Sequence, residues 1–208
     1  MPHASLRTSA ILRKVVNNAD ADGDISIGEF MSILGDRAFC LAILIFSLPN
    51  SLPVPGIPGF STITGIPIVV LALQMMAGKP VIWLPKRVAN KTFSRQGLCK
   101  LITKTLPSIV FLEKYLRPRI LFMSQPLGER LIGFLIFILS FILIMPIPGG
   151  NFLPGLSISL LALGLLERDG LFLFLAISFI LLSLTFMIKI IEVGFELMYL
   201  ALLGLIGQ

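Results

Sequence analysis

With 208 residues, 56% of them hydrophobic and 13% charged, the chain departs from the composition of soluble domains and is read as an integral membrane protein. That length leaves room for a few membrane segments and one modest polar region, and nothing in it supports a separate soluble enzyme. The net charge of +6 is unevenly placed, because residues 79–130 hold 11 of the 17 Lys and Arg against two acids, Glu113 and Glu129.

Met1 to Ala19 has no apolar core of the kind a cleavable signal needs, so internal segments are expected to direct insertion. Within it, Leu6, Ile11, Leu12 and Val15 among Arg7, Arg13 and Lys14 suit a short amphipathic helix over residues 5–16. Asp20, Asp22 and Asp24 imitate the start of a calcium-binding loop. Its sixth and twelfth positions, however, are Ile25 and Met31 where glycine and a bidentate glutamate are required. A helix beginning near Ser26, with Glu29 three residues on as in a capping box, is the better reading.

The next stretch is apolar from Ala38 to Leu48, breaks at Pro49-Asn50 and Pro53 to Gly59, and is apolar again from Phe60 to Ala77. Eleven residues rise about 17 Å as a helix and eighteen about 27 Å, so the first half alone cannot cross a hydrocarbon core of about 30 Å. A re-entrant hairpin is expected. Residues 80–130 follow with no clear span. They carry an interfacial anchor at Trp83-Leu84-Pro85 and an amphipathic helix over Leu112, Leu116 and Ile120, broken near Pro118. The positive-inside rule puts this basic segment on the cytoplasmic face and gives no reason to invoke nucleic acid.

A second unit runs from Leu131 to Met145, breaks at Pro146 to Asn151 and resumes from Phe152 to Leu166. Pro53-Val54-Pro55-Gly56 and Pro146-Ile147-Pro148-Gly149 repeat one motif, and Gly65 to Leu73 aligns with Gly155 to Leu163. The competing reading is that Pro-Gly merely turns two antiparallel helices. Two further apolar segments, Leu171 to Ile188 and Ile190 to Ile206, complete the chain. Glu192 and Glu196 share one face of the last. Intramembrane acids are costly, which makes Glu196 a proton-coupling candidate, while Glu192 sits beside Lys189 at an interface.

The predicted fold is therefore an all-α membrane protein. It has a polar, amphipathic N-terminal segment (1–37) and one transmembrane domain (38–208). That domain comprises repeat unit 38–78, the basic amphipathic segment 79–130, repeat unit 131–169 and two C-terminal helices over 170–207. Cys40 and Cys99 are expected as free thiols, and no spacing suggests a metal site or a cofactor.

Several motifs in fixed order make the chain resemble the ExoD family of bacterial membrane proteins. They are Ile25-Ser26-Ile27-Gly28-Glu29-Phe30, Gly35-Asp36-Arg37, the first Pro-x-Pro-Gly, Gln74 before Gly78, and Trp83-Leu84-Pro85. They continue with Arg117-Pro118-Arg119, Pro146-Ile147-Pro148 with Asn151 and Pro154, and Leu163-Gly164-Leu165 ahead of Asp169-Gly170. The resemblance spans roughly residues 25–190. It implies an inner-membrane, multi-pass protein associated with surface polysaccharide production, and implies no reaction.

An enzyme is disfavoured, since the one histidine is His3 and no nucleophile, phosphate loop or metal cluster stands out. A transporter needs only a polar site inside the membrane, and half-helix N-termini at broken helices supply free N–H groups. The expected solute site comprises Pro53, Pro55, Gly56, Ser61, Thr62 and Thr64 of the first unit. Pro146, Pro148, Gly149, Asn151 and Pro154 belong to the second, and Gln74, Glu167, Arg168 and Asp169 stand at the far helix ends. The solute would be an amino acid, an anion or a phosphate-bearing lipid carrier. The alternative is a non-transporting accessory protein of exopolysaccharide synthesis. Two hairpins enclose little volume, so a homodimer in the lipid membrane is expected.

Overall fold

The computed structural model describes residues 9–10, 12–13, 24–35, 37–52, 59–94, 97–100, 102–104, 106–107, 110, 126–145 and 150–206. Both Pro-x-Pro-Gly motifs, the acids Asp20 and Asp22 and the helix expected around Pro118 lie outside the described residues. Of the first amphipathic segment, Ser9, Ala10, Leu12 and Arg13 are helical, with Leu12 packed into the core and Arg13 exposed.

Strand β1 (Asp24–Ser26) leads straight into α1 (Ile27–Leu34). Ser26 caps this helix: its backbone is extended and its Oγ accepts the Glu29 N–H at 3.1 Å. The helix stops at Gly35, whose φ of +57° is costly for an L side chain. β1 pairs antiparallel with β2 (Thr92–Ser94), placing Ile25 opposite Phe93. This ribbon departs from the all-α expectation. Ile25, only 1% exposed, gives it a buried anchor, and the pairing ties the N-terminal segment to the basic one.

The remaining helices are α2 (Arg37–Ser47), extended by a 3-10 turn over Leu48–Ser51, then α3 (Phe60–Met76) and the short α4 (Lys86–Ala89). They are followed by α5 (Pro126–Ile144), α6 (Phe152–Glu167) and α7 (Gly170–Ile206). Pro126 at the first position of α5 has the φ a helix start needs and sacrifices no helical bond, and Glu129 complements the positive end of the dipole.

Small residues reveal how these helices run. A Cβ on Gly65, early in α3, would meet Ile144 at the end of α5, and a Cβ on Gly133, early in α5, would meet Met75 and Met76 at the end of α3. α3 and α5 are therefore antiparallel and closely packed, as expected where glycines let backbones approach. α2 and α6 are antiparallel too, since Gly155 abuts Asn50 while Cys40 and Leu165 line one cavity at the other end. The four helices alternate up-down-up-down, and the α2–α3 and α5–α6 turns lie at the same end. Their shared core includes Ile43, Ile68, Ala72, Ile136, Leu139, Leu143 and Ile158.

α7 is one continuous helix of 37 residues where two segments were expected. No proline interrupts it, and Lys189 pairs with Glu192 at 2.7 Å one turn on, which supports helix rather than breaking it. Leu173, Ala176, Ile180, Ser183 and Met187 form its buried stripe, at the three- and four-residue spacing of a packed helix face. Beyond Ile190 every described side chain is exposed. α5 and α7 are long and apolar enough to cross a membrane, and α1 with α2 would make a third span if their 117° bend lies within it.

Candidate functional site

The breaks leave a polar cluster where the two helical pairs turn. Ser61, Thr62, Thr64, Asn151 and Pro154, all expected in the site, converge there from the first turns of α3 and α6. Asn151 Nδ2 donates to Ser61 Oγ at 2.7 Å, and Thr62 Oγ1 donates at 2.9 Å to the Ile144 carbonyl, one of the acceptors a helix C-terminus leaves without a helical partner. Within the first pair, Asn50 Nδ2 bridges the Phe46 carbonyl at 3.1 Å and Thr64 Oγ1 at 2.8 Å. Ser159 Oγ lies 2.7 Å from Ser47 Oγ and 2.8 Å from Ser51 Oγ, joining α6 to α2.

Two features make this cluster receptive. Neither Gly59 nor Asn151, the N-caps of α3 and α6, caps its helix with a side chain, so among the described residues neither helix start has its N-cap acceptor over the first N–H groups. Asn151 Oδ1 is buried with no hydrogen-bond partner among the described residues. A buried, unused carbonyl acceptor is costly unless a ligand donor or water meets it.

The other expected residues lie at the opposite end, about 25 Å away along the 17-residue α3. Gln74 is buried and clamps the chain after α3, its Oε1 accepting the Trp83 N–H at 2.6 Å and its Nε2 donating to the Trp83 carbonyl at 3.2 Å. Asp169, 1% exposed, accepts the Leu171 N–H through Oδ1 at 2.9 Å and so caps α7. Arg168 ends α6 with φ +57°, and Glu167 precedes it. The expected site thus divides between the two ends of the bundle. Pro53, Pro55, Gly56, Pro146, Pro148 and Gly149 are outside the described residues. Glu196 is exposed on the distal part of α7.

Ser47, Asn50, Ser51 and Ser159 were not expected in the cluster. One signal was available: Ser47 and Ser140 each stand six residues before the first proline of their Pro-x-Pro-Gly motif, Pro53 and Pro146, and both are fully buried. Their local bonds match as well, Ser47 Oγ to the Leu44 carbonyl and Ser140 Oγ to the Phe137 carbonyl.

Such a bundle, with exposed apolar side chains such as Ile63, Phe174 and Leu181 outside, defines an α-helical protein of the membrane type. Two or three of its helices are fit to span a bilayer. The chain belongs to the ExoD family: the family described as "Exopolysaccharide synthesis, ExoD" matches residues 8–189. It is 34% identical over 151 residues to Protein ExoD of Rhizobium meliloti, covering 71% of this chain and 62% of that protein. It is 32% identical over 191 residues to an uncharacterized protein of Synechocystis sp., covering 91% and 90% of the two chains. No solved structure matches the chain.

Proposed function

We propose that this protein resides in the bacterial inner membrane, basic end towards the cytoplasm, and moves a small polar or charged solute in support of exopolysaccharide production. The solute class is an amino acid, an anion or a phosphate-bearing lipid carrier. The observation that carries the reading is the Asn151–Ser61 bond. In the alignment of Gly65 with Gly155 these two residues are equivalent, and each begins the second helix of its unit. Two broken hairpins of one repeat then meet at a hydroxyl and amide cluster with an open acceptor, the kind of site that discontinuous membrane helices form.

The mechanism asks little of individual side chains. Uncapped N–H groups of α3 and α6 receive an anionic group, Asn151 Oδ1 receives a donor, and parting the Asn151–Ser61 and Ser159 bonds opens the passage between the pairs. Glu196 is the proposed coupling acid. A homodimer is proposed because a body of two hairpins encloses little volume by itself.

Purified protein in proteoliposomes is expected to accumulate or exchange at least one labelled solute from a panel of amino acids, inorganic anions and phospholipids. Asn151→Leu should abolish that flux, and Glu196→Gln should remove its dependence on a proton gradient. If no solute in the panel moved and none raised the melting temperature, transport would be wrong and the accessory reading would stand.

A further inference from the structure

At the end of the bundle away from the turns, the starts of α2 and α5 and the ends of α3 and α6 line a partly open cavity of about 230 Å³. Among the described residues, Arg37, Lys79, Arg130 and Arg168 line it against one acid, Glu129, with Lys79 and Arg130 exposed at its mouth. Arg37 and Glu129 have interactions of their own. The side chains of Lys79, Arg130 and Arg168 have no hydrogen bond or ion pair to another of the described residues. Two helix N-termini and two C-termini meet here, so their dipoles largely cancel and side-chain charge decides the sign of the field.

One of the cations is held at a structural cost. Arg130 lies against Gly78, whose φ is +66°: a Cβ there would lie 2.6 Å from Arg130 Nη2 and 2.9 Å from its Nε. Arg168 is the only non-glycine residue with positive φ among the described residues. It stands at a helix end where glycine would carry no penalty and an L residue costs roughly 1–3 kcal/mol. The backbone at that position gives no reason for arginine in preference to glycine. The inner wall, including Phe39, Met75 and Leu166, is apolar and strengthens the field of the cations above it.

We propose that this cavity binds a phosphate-class anion, either free or as the headgroup of a lipid, through Lys79, Arg130 and Arg168. Three cations without described partners suit a doubly charged group with several acceptor oxygens, and guanidinium forks match its geometry. A volume below the roughly 300–1,000 Å³ of ordinary small-molecule pockets favours a phosphate or diphosphate over a whole nucleotide. The binding does not depend on solute movement at the helix turns.

The test uses the full chain in phosphatidylcholine nanodiscs, with calorimetry and thermal melting against inorganic diphosphate, and in a second arm with phosphatidic acid added to the discs. Saturable binding of diphosphate assigns a soluble anion, and stabilisation by phosphatidic acid alone assigns a lipid headgroup; either supports the site. Arg130→Gln and Arg168→Gly should each weaken binding tenfold or more. Arg168→Gly should at the same time melt no lower than the wild type, because glycine relieves the backbone, and Lys79→Gln provides a further variant if Arg130→Gln fails to fold. Binding unchanged in Arg168→Gly, acetate binding as tightly as diphosphate, or no response in either arm would overturn the proposal.

Discussion

At the scale of single residues, Gly65 and Gly155 align in sequence but face different neighbours. A methyl at 155 would lie 2.8–2.9 Å from the carbonyl carbon, Cβ and carbonyl oxygen of Asn50, which can yield only if the chain moves. At 65 the closest atom is Ile144 Cγ1 at 2.7 Å, part of a side chain that can turn aside, with the Ile144 backbone at 3.6 Å or more. Gly155→Ala should therefore cost about 1–3 kcal/mol and Gly65→Ala less, measured as loss of melting temperature in detergent. Equal losses would show that Ile144 is as fixed as the Asn50 backbone. Gly155 was legible as a position of interest because it aligns with Gly65. Its contact with Asn50 was not, since that depends on α2 and α6 meeting across more than a hundred residues of chain.

At the scale of elements, the apolar runs and Pro-Gly punctuation are enough to locate α2, α3, α5 and α6 to within a few residues. Composition changes sharply at each boundary, which is why those helices are legible. The β1–β2 ribbon is not, because three-residue strands pairing Ser26 with Thr92 have no local pattern of their own. The helices flanking each break should matter through their separation. Replacing Pro148 and Gly149 with leucines is expected to let α5 and α6 fuse, abolishing flux while leaving membrane insertion unchanged. Retained flux would dissociate the break from the site. The same pair of changes at Pro55 and Gly56 should behave alike if the two units are repeats.

At the scale of the whole molecule, direction is the main gain over the sequence, which left open whether the two pairs run in the same sense. The contacts of Gly65, Gly133 and Gly155 give both pairs one sense, with Leu52 and Met145 exposed at the turn end and Arg37, Lys79, Arg130 and Arg168 gathered at the other. With Cys40 and Cys99 replaced, single cysteines at Leu52 and Met145 should react with a membrane-impermeant maleimide from the same side. A cysteine at Lys86 should react only from the opposite side if the pairs cross. Labelling of Leu52 and Met145 from opposite sides would refute the common direction. The candidate site was legible only in part, because Ser61 and Asn151 flank visible breaks, whereas Arg130 meets Gly78 only after α3 and α5 have packed.

The length of α7 sets a geometric problem for the membrane. A crossing takes about 20 residues, and α7 has 37. Thirty-seven residues span about 55 Å, so fitting them all within about 30 Å of hydrocarbon would demand a tilt near 57°, beyond the usual range of about 0–40°. The helix is too long for one passage through the bilayer and too short for two. Its last part, with Phe195, Met198, Tyr199 and Leu200 exposed, consequently continues well beyond the stripe that packs against the other helices.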